Sequence, residues 1–227
     1  MTSEQIIKKL KAKANPKNVA GMRRFGIKGE KMLGVAIPVL RKMAKETGKS
    51  HELALAIWQT GIHEARILAA MIDEVEKVSE RQMEQWVRDF DSWDVCDQVC
   101  LNLFDKTAVA YKKALEWSRR KEEFVKRAGF ALMAALAVHD KMAKDSKFAK
   151  FFAAIKREAR DERVYVKKAV NWALRQIGKR NKALNKKAIV VAQEISKINS
   201  KTAKWIATDA LRELTGEAVQ KRLEPRL

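Results

Sequence analysis

The sequence predicts an all-α chain, on three observations. Apolar residues recur at helical spacing over nearly its whole length, runs of alternating β-branched residues are almost absent, and only three prolines, Pro16, Pro38 and Pro225, interrupt it. Breaks fall at Asn15-Pro16, between Gly26 and Gly34, at Gly48-Lys49-Ser50, Gly61, Asp91-Ser92, Asp105-Lys106, Asp140, Asp161, between Gly178 and Asn181, at Asn199-Ser200 and at Gly216. Between them lie helices of roughly 10 to 18 residues joined by short turns. The first, within MTSEQIIKKLKAKAN, is amphipathic and is expected to pack against the next helix. No Ser/Gly-rich linker separates two halves, so residues 1–227 are expected to form one continuous domain, long enough to bury a large core.

The later helices repeat. EARILAAMI from Glu64, DVCDQVCLNLF from Asp94, FVKRAGFALMAAL from Phe124, YVKKAVNWALRQIG from Tyr165 and TAKWIATDALREL from Thr202 each open on a polar residue and continue with small and bulky apolar residues. In this register Arg66, Asp97, Arg127, Lys168 and Lys204 are equivalent, at intervals of 31, 30, 41 and 36 residues. Such periods belong to paired-helix solenoids of the HEAT type. The second helix of each pair is then expected to line a concave, basic surface, with the five residues as rungs along it.

Charge narrows the partner. The formal net charge is +20, and the segment from Lys141 to Lys204 holds 19 Lys+Arg against 5 Asp+Glu. That basic band suits a polyanion, bound through counterion release; Lys147, Lys150 and Lys186 are expected to be ordinary solvated lysines. The two cysteines, Cys96 and Cys100, lie four apart and suit buried packing better than a disulfide framework, a nucleophile or a metal site, for which a nearby histidine is lacking. His51, His63 and His139 are far apart and suit surface or capping roles. No glycine-rich phosphate loop calls for a nucleotide cofactor. With no secretory leader pattern and no run of about 20 apolar residues, the chain is expected in the cytoplasm, close to the nucleoid if it binds DNA, and off the membrane.

Within SWDVCDQ, Trp93 and Asp97 share one helix face. Asp97 is the acidic rung among basic ones, and neighbouring cations favour its ionised form. A structural ion pair with Arg66 or Arg127, or a favourable charge near a helix start, explains it as well. Trp172 lies four residues after Lys168 and three before Arg175, where the other repeats carry Ala70, Leu101, Ala131 and Thr208. Charged neighbours mark Trp93 and Trp172 as half-exposed, whereas Trp58, Trp86, Trp117 and Trp205 are expected in the core.

SWDVCDQ, FVKRAGFALMA, VKKAVNWALRQIGKRN and the earlier GVAIPVLRKMAKE resemble the AlkD-like DNA alkylation repair family, from about Met22 to Leu214. The family's motif is a Trp and an Asp four apart, an Arg in the next repeat and a Trp in the one after. Trp93, Asp97, Arg127 and Trp172 match it. The resemblance implies a HEAT-like fold that holds duplex DNA and a glycosylase that excises cationic alkylpurines, N3-alkyladenine and N7-alkylguanine, without metal or cofactor. It implies Asp97 as the catalytic carboxylate, Trp93 and Trp172 against sugar and lesion, and Arg127 on a phosphate, with Lys168 and Arg175 as further phosphate contacts. A monomer acting on duplex DNA with alkylated bases is the expectation. A non-catalytic DNA-binding or damage-sensing protein, or a scaffold for an acidic protein partner, would use the same basic repeat.

Overall fold

A computed structural model describes residues 1–224; Pro225 lies outside the described residues. Among the described residues there are fifteen α-helices, two short 3-10 turns and no strand, as the periodicity predicts. They group into two compact units, one from Met1 to Ala108 and one beginning at Val109.

In the first unit, α1 (Ser3–Ala12) starts on a capping box, in which Gln5 N–H donates to the Thr2 hydroxyl and Thr2 N–H donates to the Gln5 side chain. Pro16 opens α2 (Pro16–Arg24) behind the capping side chain of Asn15, and Pro38 sits in the first turn of α3 (Ile37–Thr47). Both prolines start helices, because the first turn needs no N–H from them. Ser50 and Ser79 cap α4 (His51–Trp58) and α6 (Glu80–Arg88). Helix α5 (His63–Ile72) is the centre of the unit, with eight of its ten residues buried, and packs on α3, α4 and α7 (Trp93–Asn102). Trp58 and Trp86 stack with centroids 3.8 Å apart, and Phe90 and Phe104 extend the cluster. The Trp58 Nε1–H donates to Asp89 at 2.8 Å, satisfying the polar atom of a buried indole.

The segment 25–36 has no helix but is not loose. The Glu64 carboxylate, only 1% exposed, accepts the main-chain N–H groups of Leu33, Gly34 and Val35. Gly34 has φ of 76°, and a Cβ there would lie 2.2 Å from the Asn15 carbonyl oxygen, so only glycine fits.

The second unit pairs α8 (Ala110–Trp117) with α9 (Glu123–His139), α11 (Phe151–Glu158) with α12 (Val164–Gly178), and α13 (Lys182–Ser196) with α14 (Lys201–Leu214). The short helices α10 (Asp145–Ala149) and α15 (Glu217–Leu223) complete it. The second helices are neighbours: α12 packs on both α9 and α14. Twelve of the 17 residues of α9 are buried, among them five alanines and Gly129. At Gly129 the helix meets the end of α8 directly, and a Cβ would lie 2.5 Å from the Ser118 nitrogen.

Two turns, between α5 and α6 and between α8 and α9, are not among the breaks read from the sequence. At the first, Asp73 ends α5 and accepts hydrogen bonds from the Gln82 side chain at 2.6 Å and the His51 ring at 2.7 Å. Trp58, Trp86 and Trp117 are in the core as expected, but Trp205 is 42% exposed. It lies on the outward side of α14, whose buried side is made by Ala203, Ile206, Ala207 and Ala210.

Replacing Gly129 by alanine forces a side chain against main-chain atoms of α8, which cannot rotate away. The substitution is expected to destabilise the protein by about 1–3 kcal/mol, read as a lower urea midpoint at unchanged slope. An unchanged midpoint would show that the α8–α9 approach is not tight.

Candidate active site

Helix α7 carries the candidate residues of the first unit. Its N-cap is Ser92, its first residue Trp93, and its first-turn acid Asp94. Asp97 lies in the second turn, so it does not cap the helix. Trp93 is half-buried, and its Nε1–H donates to the Phe25 carbonyl at 3.2 Å. Asp97, one turn along the same face, is half-buried too. Arg66, a partner considered for Asp97, instead donates to the Asp89 carbonyl at 2.8 Å and lies 3.6 Å from Asp91. Cys96 and Cys100 are fully buried behind this face, and burial pushes the Cys100 thiol well up, so both act as packing groups.

Two features beside Trp93 have no counterpart in the sequence reading. A cavity of about 670 Å³ opens next to the indole, walled by Met22, Phe25, Val35, Ile67 and Gln98 among others. Phe25 is 78% exposed at its edge. His63, expected in a surface or capping role, is buried at the first residue of α5, and its Nε2–H donates to Asp94 at 2.8 Å. Its position at the start of α5 hid this, because the partner lies 31 residues on.

The second unit holds the remaining residues on adjacent helices. Arg127 on α9 is 5% exposed, and one of its amino groups donates to the Tyr165 carbonyl at the start of α12, at 2.6 Å. On α12, Lys168 is exposed and forms no ion pair among the described residues. Trp172 follows one turn later, half-buried as its charged neighbours suggested. Arg175 is engaged: Glu213 of α14 pairs with it and with Lys179, and Asp209 lies 3.6 Å from it. Of the three phosphate candidates, Lys168 stands ready for an anion, Arg127 is enclosed, and Arg175 ties α12 to α14. Arg66, Asp97, Arg127, Lys168 and Lys204 each occupy the fourth or fifth residue of their own helix, α5, α7, α9, α12 and α14.

A family model described as DNA alkylation repair enzyme matches residues 6–214. A solved structure described as "A new family of proteins related to the HEAT-like repeat DNA glycosylases with affinity for branched DNA structures" superposes with a TM-score of 0.80 and 20% identity, covering 98% of this chain and 96% of that one. At that identity the likeness is one of fold, and the fold is the HEAT-like helical repeat read from the sequence. No curated protein matches the chain.

The His63–Asp94 pair fixes the start of α7 against α5. Burial disfavours the imidazolium, but the hydrogen bond and charge of Asp94, with Glu64 and Asp91 nearby, outweigh it and raise the His63 pKa. The folded state therefore binds this proton more tightly than the unfolded chain. The pair stabilises the fold below about pH 6.5, the ordinary histidine value, and loses that contribution as pH rises through the higher folded value. The urea midpoint of the wild type relative to His63→Gln should be largest near about pH 5.5 and shrink by about pH 8.5. A difference independent of pH would remove the charged pair from the account.

Proposed function

Because this chain belongs to the DNA alkylation repair enzyme family, we propose that it excises cationic alkylpurines, such as N3-alkyladenine and N7-alkylguanine, from duplex DNA. The observation that carries this reading is the half-buried carboxylate of Asp97 one turn from the half-buried indole of Trp93, on a helix whose start is anchored through Asp94. An alkylated purine that is already cationic leaves as a neutral base, so no acid need protonate it. Positive charge develops on the deoxyribose as the bond from C1′ to the base nitrogen breaks. Asp97 stabilises that charge and orients the water that attacks C1′, whose proton passes to the carboxylate or to solvent. Trp93 and Trp172 offer ring faces to the electron-poor sugar and lesion. Lys168 holds a backbone phosphate, and Arg127 adds positive charge from an enclosed position, while Arg175 is taken up by Glu213 and Asp209. No metal or cofactor enters this scheme.

A second reading has its own support. The solved relative of the same fold is described by its affinity for branched DNA, and Arg127 is buried in this chain. Both suit a protein that binds DNA without excising a base.

Base release from methylated duplex DNA separates the two. Asp97→Asn is expected to slow release by about 100- to 1000-fold, while duplex affinity stays equal or rises, because one repulsive charge is gone. A wild type that releases no base but binds duplex in a salt-sensitive way would establish the binding reading. Failure to bind duplex even at low salt would favour an acidic protein partner.

A further inference from the structure

Trp205 is an exposed aromatic residue that the proposed chemistry does not use. Helix α14 turns Lys201, Lys204, Trp205 and Thr208 outward together, as their spacing of three and four dictates. From α12, Lys167 places its ammonium 5.6 Å from the Trp205 ring centroid. None of Lys167, Lys201 and Lys204 forms an ion pair among the described residues. The nearby acid on the same helix, Asp209, is already engaged by Asn171, Arg175 and Arg212. The result is a large indole, 42% exposed, set among uncompensated cations within the strongly basic half of the chain.

A single exposed apolar side chain needs no explanation; an indole beside one unpaired lysine and on a helix face with two more is a different case. Lysines alone would serve an acidic peptide or the outside of a duplex, where phosphates face the protein. The indole adds a π-face, and the partner that covers it most fully is one with a flat face of its own. Within a duplex each base is covered above and below, so the fitting partner is an unpaired base.

We propose that Lys167, Lys201, Lys204 and Trp205 form a contact for single-stranded nucleotides flanking a duplex: the indole stacks on an unpaired base and the lysines hold the adjoining phosphates. The inference rests on the reading of the chain as a DNA-binding repair protein. It is separate from excision, because Trp205 has no part in the proposed chemistry.

Fluorescence anisotropy with a labelled blunt duplex, and with the same duplex carrying a single-stranded tail, tests it. The wild type should bind the tailed duplex about tenfold more tightly, the scale of one stacked base. Trp205→Ala should abolish that preference with blunt-duplex affinity changed by less than about twofold, and Trp205→Phe should keep most of it. No preference in the wild type, or equal weakening of both ligands by Trp205→Ala, overturns the proposal. So does polyglutamate that displaces the tailed duplex and depends on Trp205 to the same degree. The methylated-duplex assay keeps the two readings apart. A wild type that prefers the tail but releases no base loses only the glycosylase reading; one that releases base without preferring the tail loses only this one.

Discussion

The carboxylate of Glu64 is the constraint on which the first unit depends. An ion with almost no exposure costs several kcal/mol unless its oxygens are filled with donors, and here the donors are three consecutive main-chain N–H groups. One side chain of α5 thereby fixes a segment that has no helix of its own. Asn15 N–H, donating to the Leu33 carbonyl, and the Asn18 amide, donating to that of Gly34, close the same segment against α2. Its other end supplies the Phe25 carbonyl that receives the Trp93 indole N–H. The adjacent residue on α5, His63, takes its own N–H to Lys31 and its ring to Asp94. Trp93 is thus oriented from two directions by groups whose positions trace back to Glu64 and His63.

The second unit is held differently. Its inner helices are lined with alanine, and the approach at Gly129 brings main chain against main chain, so packing sets the helix spacing. Polar contacts then divide the cations into two sorts. Glu213 is partly buried, yet Lys179 and Arg175 hold its carboxyl below the usual range. Those two cations are thereby consumed in joining α12 to α14. Lys168 on α12 and Lys204 on α14 pair with no acid among the described residues. On α12 and α14 the cations left without an acid among the described residues are Lys167, Lys168, Lys201 and Lys204.

The helical class, the repeat register and the half-exposure of Trp93 and Trp172 were legible because each follows from spacing within one helix. What was not legible depends on partners far along the chain. Arg175 reads as a free cation until α14, 34 to 38 residues later, supplies Asp209 and Glu213. His63 reads as a surface or capping residue at a helix start until Asp94 meets it. Trp205 reads as core because its apolar neighbours Ile206 and Ala207 lie on the buried side of the same turn. The turns at Asp73 and Ser118 lack glycine and proline, and side-chain or main-chain hydrogen bonds do that work instead.

These placements bear on why a carboxylate stands at position 97. The start of α7 already has its acid, Asp94, in the turn where the helix dipole favours one. It also has its tether, through His63. Asp97, a turn further in, is therefore not the acid that begins the helix. In the proposed complex with DNA, an acid at this position weakens binding where a lysine would strengthen it. In the proposed reaction that disadvantage falls on the ground state, while the attraction grows as the sugar becomes cationic at the transition state. An interaction of that kind raises the rate without tightening the complex, which is the property that separates a catalytic rung from the cationic rungs aligned with it.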